Sequence, residues 1–199
     1  AFANLFVQSS VNSFDHILVE GNSAAANADP LVYDMMAAFY TACSSFIAQN
    51  FGARKKKRIL QTYLICLFYS FITSLVLGVG IYLARYQFLY LFTSDKAVVE
   101  AGITRLSIMA LSYSASAFMD ASIAASRGLG KTAVPTFVVV MGSCVFRIIW
   151  IYTIFAYFHT IQSLYILYVF SWGITAIAEN IYFFHVYRHT LTGKTESHL

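Results

Sequence analysis

The chain of 199 residues is 59% hydrophobic and 17% aromatic but only 11% charged, with a formal net charge of +4 and a mean hydropathy of +0.66. A soluble domain carries about 25% charged residues, so these charges cannot cover this much apolar surface in water. A soluble globular domain, a disordered chain and a nucleic-acid binder are excluded, and the medium the composition calls for is lipid.

Ten Gly and two Pro leave few natural breaks, so most of the chain is predicted to be helical. Ala1 to Phe14 is apolar from its first residue and has no basic n-region or cleavage site. It is therefore expected to be a membrane helix that lacks its beginning rather than a signal peptide. Fourteen residues reach about 21 Å, against a hydrocarbon core of about 30 Å. Asn4, Gln8 and Asn12 recur at steps of four and share one face of this helix. Such amides either hold helices together in lipid or line an aqueous cavity.

Asp15 to Asp29 is more polar, and Pro30 is expected to break a second span over 18–50. Within it, Tyr33 and Tyr40 lie seven apart and suit the walls of a site for organic cations. The run Arg54-Lys55-Lys56-Lys57-Arg58 ends this span, and residues 59–84 follow as a clean span without a single charge. A connection over 85–100 offers Ser94 or Asp95 as the N-cap of the next helix, 98–125. The turn Ser126-Arg127-Gly128-Leu129-Gly130-Lys131 leads to 132–158, then a last span over 161–187. The reading is an all-α, six-helix membrane lobe over residues 1–190 with a cytoplasmic tail at 191–199.

Lys and Arg are retained on the cytoplasmic side of membranes. Arg54 to Arg58, Arg127, Lys131, Arg188 and Lys194 fall on one side, against Arg85 and Lys96 on the other. The asymmetry predicts a multi-pass protein of the plasma (inner) membrane with its C-terminus in the cytoplasm, and it makes the net charge topological.

Five charges fall inside the apolar parts of the spans, 31–51, 101–125, 132–158 and 161–184, where each costs a few kcal/mol and is expected to face protein or water. Asp120 lies seven residues from Arg127, about 10 Å deep, and Glu179 nine from Arg188, about 13 Å deep. These carboxylates, with Asp34, are candidates for binding H⁺ or Na⁺, since low dielectric favours the neutralised form. Asn180 stands beside Glu179 as a further candidate cavity residue. Asp34 and Arg147 are level with one another, about 22–24 Å from the basic side, and suit a structural ion pair. Arg105, nearer the opposite face, is expected to snorkel. Cys43, Cys66 and Cys144 form no C-x-x-C pair and read as apolar fillers. Gly130-Lys131-Thr132 lacks the first glycine and the preceding strand of a phosphate loop. His185 and His189 lack a third metal ligand nearby, and no clustered catalytic motif points to an enzyme.

Val11-Asn12-Ser13-Phe14, Gly21-Asn22-Ser23-Ala24-Ala25 and Gln49-Asn50 with Gly52-Ala53 stand in one order with Arg127-Gly128-Leu129-Gly130-Lys131 before Pro135, Arg147-Ile148-Ile149-Trp150 and Ser171-Trp172. This series resembles the C-terminal half of a multidrug and toxic compound extrusion (MATE) transporter over nearly the whole chain. The resemblance implies helices seven to twelve of a two-lobed, twelve-helix antiporter that exchanges H⁺ or Na⁺ for amphipathic organic cations. It also implies a missing N-terminal lobe as partner, with no cofactor beyond the coupling ion. The alternative within the same superfamily is a lipid-linked oligosaccharide flippase, for which Arg147 is the only central cation. Three positions depart from the family pattern: Asp15 in place of Gly, and Ala156 and Val169 in place of Pro. The two lost prolines are expected to straighten the last two helices locally.

Overall fold

A computed structural model describes residues 2–190. The predicted tail at 191–199, with Lys194, lies outside the described residues. Within them the backbone forms helices α1 (Phe2–Val11), α2 (His16–Ala26), α3 (Ala28–Gly52), α4 (Lys56–Leu83), α5 (Arg85–Tyr90) and α6 (Lys96–Gly128), and no strand. Two more follow: α7 (Ala133–Phe158) and α8 (Ile161–His189).

Local chemistry sets the breaks. Asp15 caps α2, accepting from the Leu18 N–H at 2.9 Å, so the acidic residue at this position supplies a helix start. The break expected at Pro30 falls three residues earlier, at Asn27. Pro30 has no N–H to give the Ala26 carbonyl, so the ladder fails upstream of the ring and not at it. The Asn27 amide donates to the Ser23 and Ala24 carbonyls at 3.2 and 3.1 Å, which satisfies part of the interrupted turn. Asp95 caps α6 by accepting from the Ala97 N–H at 2.8 Å.

The straightening expected from the lost prolines occurs in one helix of two. α8 runs unbroken through Val169. α7 instead carries two π-helical turns, Met141–Val145 and Ile151–Phe155, the second ending directly before Ala156. An inserted π turn disturbs the helical ladder without a proline.

Among the described residues four helical segments are long and apolar enough to cross a bilayer: His16–Gly52, Lys56–Leu83, Ala133–Phe158 and Ile161–His189. The two halves of α6 make a fifth, meeting at 43°. α1 has ten described residues, about 15 Å of helix. α6 is the hub, packed by α2, α3, α4 and α8. Its small side chains allow that, because close backbone approach holds helices together where lipid gives no hydrophobic drive. At the α2–α6 crossing, a Cβ on Gly21 would lie 2.7 Å from the Gly102 nitrogen.

Buried side chains fill the lobe from end to end. Ile47, Ile59, Tyr63 and Phe183 pack near the basic end, Met36, Met109, Tyr113 and Trp172 in the middle, and Val11, Trp150 and Leu164 toward the opposite end. Ile177 and Ile181 of α8 and Leu64 and Phe68 of α4 are more than 40% exposed, as befits a surface solvated by acyl chains. At the basic end, the Lys56 ammonium donates to the Arg188 carbonyl at 2.9 Å, tying the start of α4 to the end of α8.

Candidate functional site

A cavity of about 330 Å³ opens between α1, α2, the start of α3, α6 and α8. Asn4 and Gln8 reach it from α1, Asn22 and Asp29 from the broken span, Arg105 from α6 and Tyr168 from α8. Gln8 donates to Asn12, one residue past the end of α1, at 3.0 Å, so two of the three amides are linked to each other. A wall of amides, one ion pair and tyrosine rings suits a polar or amphipathic guest.

The ion pair is the cavity's anchor. Arg105 is only 7% exposed and sits against Asp29, while its other terminal nitrogen donates to the Asn22 side-chain oxygen at 2.8 Å. The Tyr113 hydroxyl donates to the second Asp29 oxygen. Arg105 therefore does not snorkel. A carboxylate and an amide seven residues apart across the Asn27 break satisfy its charge inside the lobe, where no long reach to the interface is needed. Asn22 and Asp29 were legible only as part of a polar segment, and their spacing of two helical turns was the signal that could have singled them out.

Arg147 lies just behind the same wall, 5% exposed. Its Nη1 donates to the Asn4 side-chain oxygen at 2.9 Å and its Nε to the Ser171 hydroxyl at 3.1 Å. The guanidinium also rests 4.4 Å from the centre of the Tyr168 ring. Ser171 in turn donates to the Gly142 carbonyl, at 2.8 Å, inside the first π turn of α7. A Cβ on Gly142 would collide with the Thr175 hydroxyl, so glycine is what lets α7 approach α8 here. The pairing expected between Arg147 and Asp34 is absent. Asp34 is exposed on the outer face of α3, because helix rotation, which depth does not fix, turns it away.

Asp120 and Glu179 occupy the half of the lobe nearer the basic end. Glu179 is fully buried, and neither of its carboxylate oxygens has a hydrogen-bond partner. One Asp120 oxygen is likewise buried without a partner, and so is the hydroxyl of Tyr40, which flanks Asp120. Both carboxylates feel the positive charge of Arg127 at the end of α6. Asn180, beside Glu179, is drawn into a separate network. It accepts from the Tyr63 hydroxyl at 2.6 Å, and that hydroxyl also bonds Ser122 at 3.0 Å. Tyr33 packs edge-on against Tyr113 and Trp172, with centroids 6.3 and 6.2 Å away, as part of the central core.

The geometry thus has two layers: an open, charge-bearing cavity and, nearer the basic end, sealed carboxylates. A family model described as MatE matches residues 1–153. The MATE transporter VcmN of Vibrio cholerae, in its bent form, superimposes with a TM-score of 0.85 over 95% of this chain at 18% identity. A MOP superfamily transporter from Pyrococcus furiosus, for which a binding pocket of reversed polarity has been taken to suggest a different function, does so with 0.87 over 96% at 19% identity. The chain spans 43% and 44% of the length of those two proteins. No curated protein matches it. At such identities the structural likeness establishes the fold, and the family model, which matches most of the sequence, establishes the lineage: the chain belongs to the MatE family of membrane transporters.

Proposed function

We propose that the chain is one lobe of a secondary active antiporter that exports amphipathic organic cations in exchange for H⁺ or Na⁺. The observation that carries this reading is Glu179, a carboxyl group without any exposed surface or hydrogen-bond donor inside a membrane protein. An ionised carboxylate so placed costs several kcal/mol, roughly, unless a counter-ion joins it, so taking up H⁺ or Na⁺ is its route to stability. Asp120, partly buried beside the Tyr40 hydroxyl with one enclosed oxygen, offers a second carboxyl group within the field of the same arginine.

In this mechanism a coupling ion neutralises the carboxylates in one access state and leaves in the other. Its difference in affinity between the two states shifts the lobe against a partner lobe. The partner is an N-terminal six-helix lobe, and the substrate lies between the two, reached through the Asn4 and Gln8 face. The basic end faces the cytoplasm of a plasma-membrane protein, as the distribution of Lys and Arg supports. The chain works as part of a transporter and not as an enzyme.

Ethidium efflux from cells expressing the full-length protein tests the reading. Asp120→Asn and Glu179→Gln together should abolish ion-driven efflux while the protein still reaches the membrane. Efflux that keeps its rate and its ion dependence in the double variant removes these carboxylates from the mechanism. One observation favours the alternative, a flippase for lipid-linked oligosaccharides: Arg147 is a buried cation bonded to neutral groups. A pyrophosphate headgroup calls for several such cations, and Arg105 is already matched by Asp29.

A further inference from the structure

One guanidinium, Arg105, lines the cavity and another, Arg147, stands behind its wall, and they are not equivalent. Arg105 has a carboxylate, Asp29. Arg147 is more deeply buried still, yet its hydrogen bonds run to the Asn4 amide and the Ser171 hydroxyl, and its guanidinium also rests on the Tyr168 ring. All three are neutral. Among the described residues the ion pairs are Arg105 with Asp29 and His16 with Glu20, so no carboxylate reaches Arg147.

A buried charge within a membrane ordinarily finds an opposite charge, since attraction in low dielectric must offset lost hydration. With Arg105 and Arg147 positive and Asp29 negative, the cavity and its wall hold one unmatched positive charge. Two of the three groups around Arg147, Asn4 and Tyr168, themselves line the cavity. The guanidinium is therefore separated from the cavity by a single layer of side chain. Asn4 is also exposed, so its oxygen can be exchanged for one brought by a guest.

We propose that Arg147 receives the carboxylate of zwitterionic, amphipathic substrates bound in this cavity. This rests on the transporter reading and narrows its amphipathic organic cations to those that also carry a carboxylate. An incoming carboxylate takes the place of the Asn4 oxygen on Nη1, exchanging a neutral acceptor for a charged one, with roughly twice the bond strength. The Tyr168 ring covers the guanidinium from one side, leaving the edge with its N–H groups for the anion. Val7 and Val11, on the same wall, contact the apolar body of the guest. The cavity, about 330 Å³, lies at the small end of ligand sites and admits one such molecule.

The test is equilibrium binding to the purified full-length protein in detergent, read from dansyl fluorescence. The probes are Nα-dansyl-lysine, a zwitterion, and its methyl ester, a cation of nearly the same shape. The wild-type protein should bind the acid more tightly than the ester. Arg147→Gln should weaken the acid by about tenfold or more and leave the ester unchanged. Arg147→Lys keeps the charge but not the fork, and should hold an intermediate preference.

Equal weakening of both probes would show a structural role and overturn the proposal, as would a wild-type protein without preference or without binding. Should Arg147→Gln lose its thermal unfolding transition, Arg147→Lys decides: selective loss for the acid supports the proposal, and equal loss for both overturns it. Ethidium efflux from the same cells reports on the transporter reading separately. Failure of efflux with Arg147-dependent acid binding intact would defeat that reading and leave the carboxylate site standing.

Discussion

Arg105 and Arg147 illustrate how depth along a helix informs and misleads. Counting residues from the basic turns placed five charges within spans, and four of those lie at buried or partly buried positions. What counting cannot supply is rotation about the helix axis, on which every pairing depends. Asp34 shares a level with Arg147 but points outward, while Asp29, one and a half turns earlier, reaches Arg105 on α6. The Asp29–Arg105 pair should be costly to break from one side. Arg105→Met leaves a partly buried carboxylate without its counter-ion and should cost about 1–3 kcal/mol, read as a lower unfolding midpoint in detergent. Adding Asp29→Asn should recover most of that loss. An unchanged midpoint in Arg105→Met would show that the pair is not buried in the membrane-embedded protein.

At the level of helices, the existence and order of the spans were legible because long charge-free runs have one stable form in lipid, the helix. Ends were legible where a side chain makes them, as at Asp95. The break near Pro30 was legible to within three residues, whereas the π turns of α7 were not, since no proline or other breaker in the sequence marks them. Small residues carry a related message that hydropathy hides. The Gly21–Gly102 crossing has no room for a methyl group, whereas Gly80 on α4 has nothing within 4 Å of the position a Cβ would take. Gly21→Ala should therefore destabilise the protein by about 1–3 kcal/mol, and Gly80→Ala should leave the unfolding midpoint where it is. Equal midpoints for the two variants would mean that α2 does not dock on α6 at this distance.

For the whole lobe, the placement of basic residues gave a topology without any knowledge of packing, and the packed helices bring those residues to one end. The Lys56–Arg188 contact joins two of them that lie far apart in the described chain. Orientation in the membrane can be checked with single cysteines and a membrane-impermeant maleimide. Lys57→Cys should stay unlabelled in intact cells until they are permeabilised, and Lys96→Cys should label from outside. The reverse pattern would invert the lobe and with it the direction of transport.

One hydroxyl gives the interior of this lobe an unusual grammar. Ser171 accepts from Arg147 with one lone pair and donates its only proton to the Gly142 carbonyl, so the two bonds share a single oxygen. If a guest pulls the guanidinium toward itself, that oxygen becomes less polarised, and its grip on the carbonyl of the π turn slackens at the same moment. The carbonyl of the π turn and the guanidinium behind the cavity thus meet at one serine oxygen, a hinge between chemistry at a side chain and shape along a backbone.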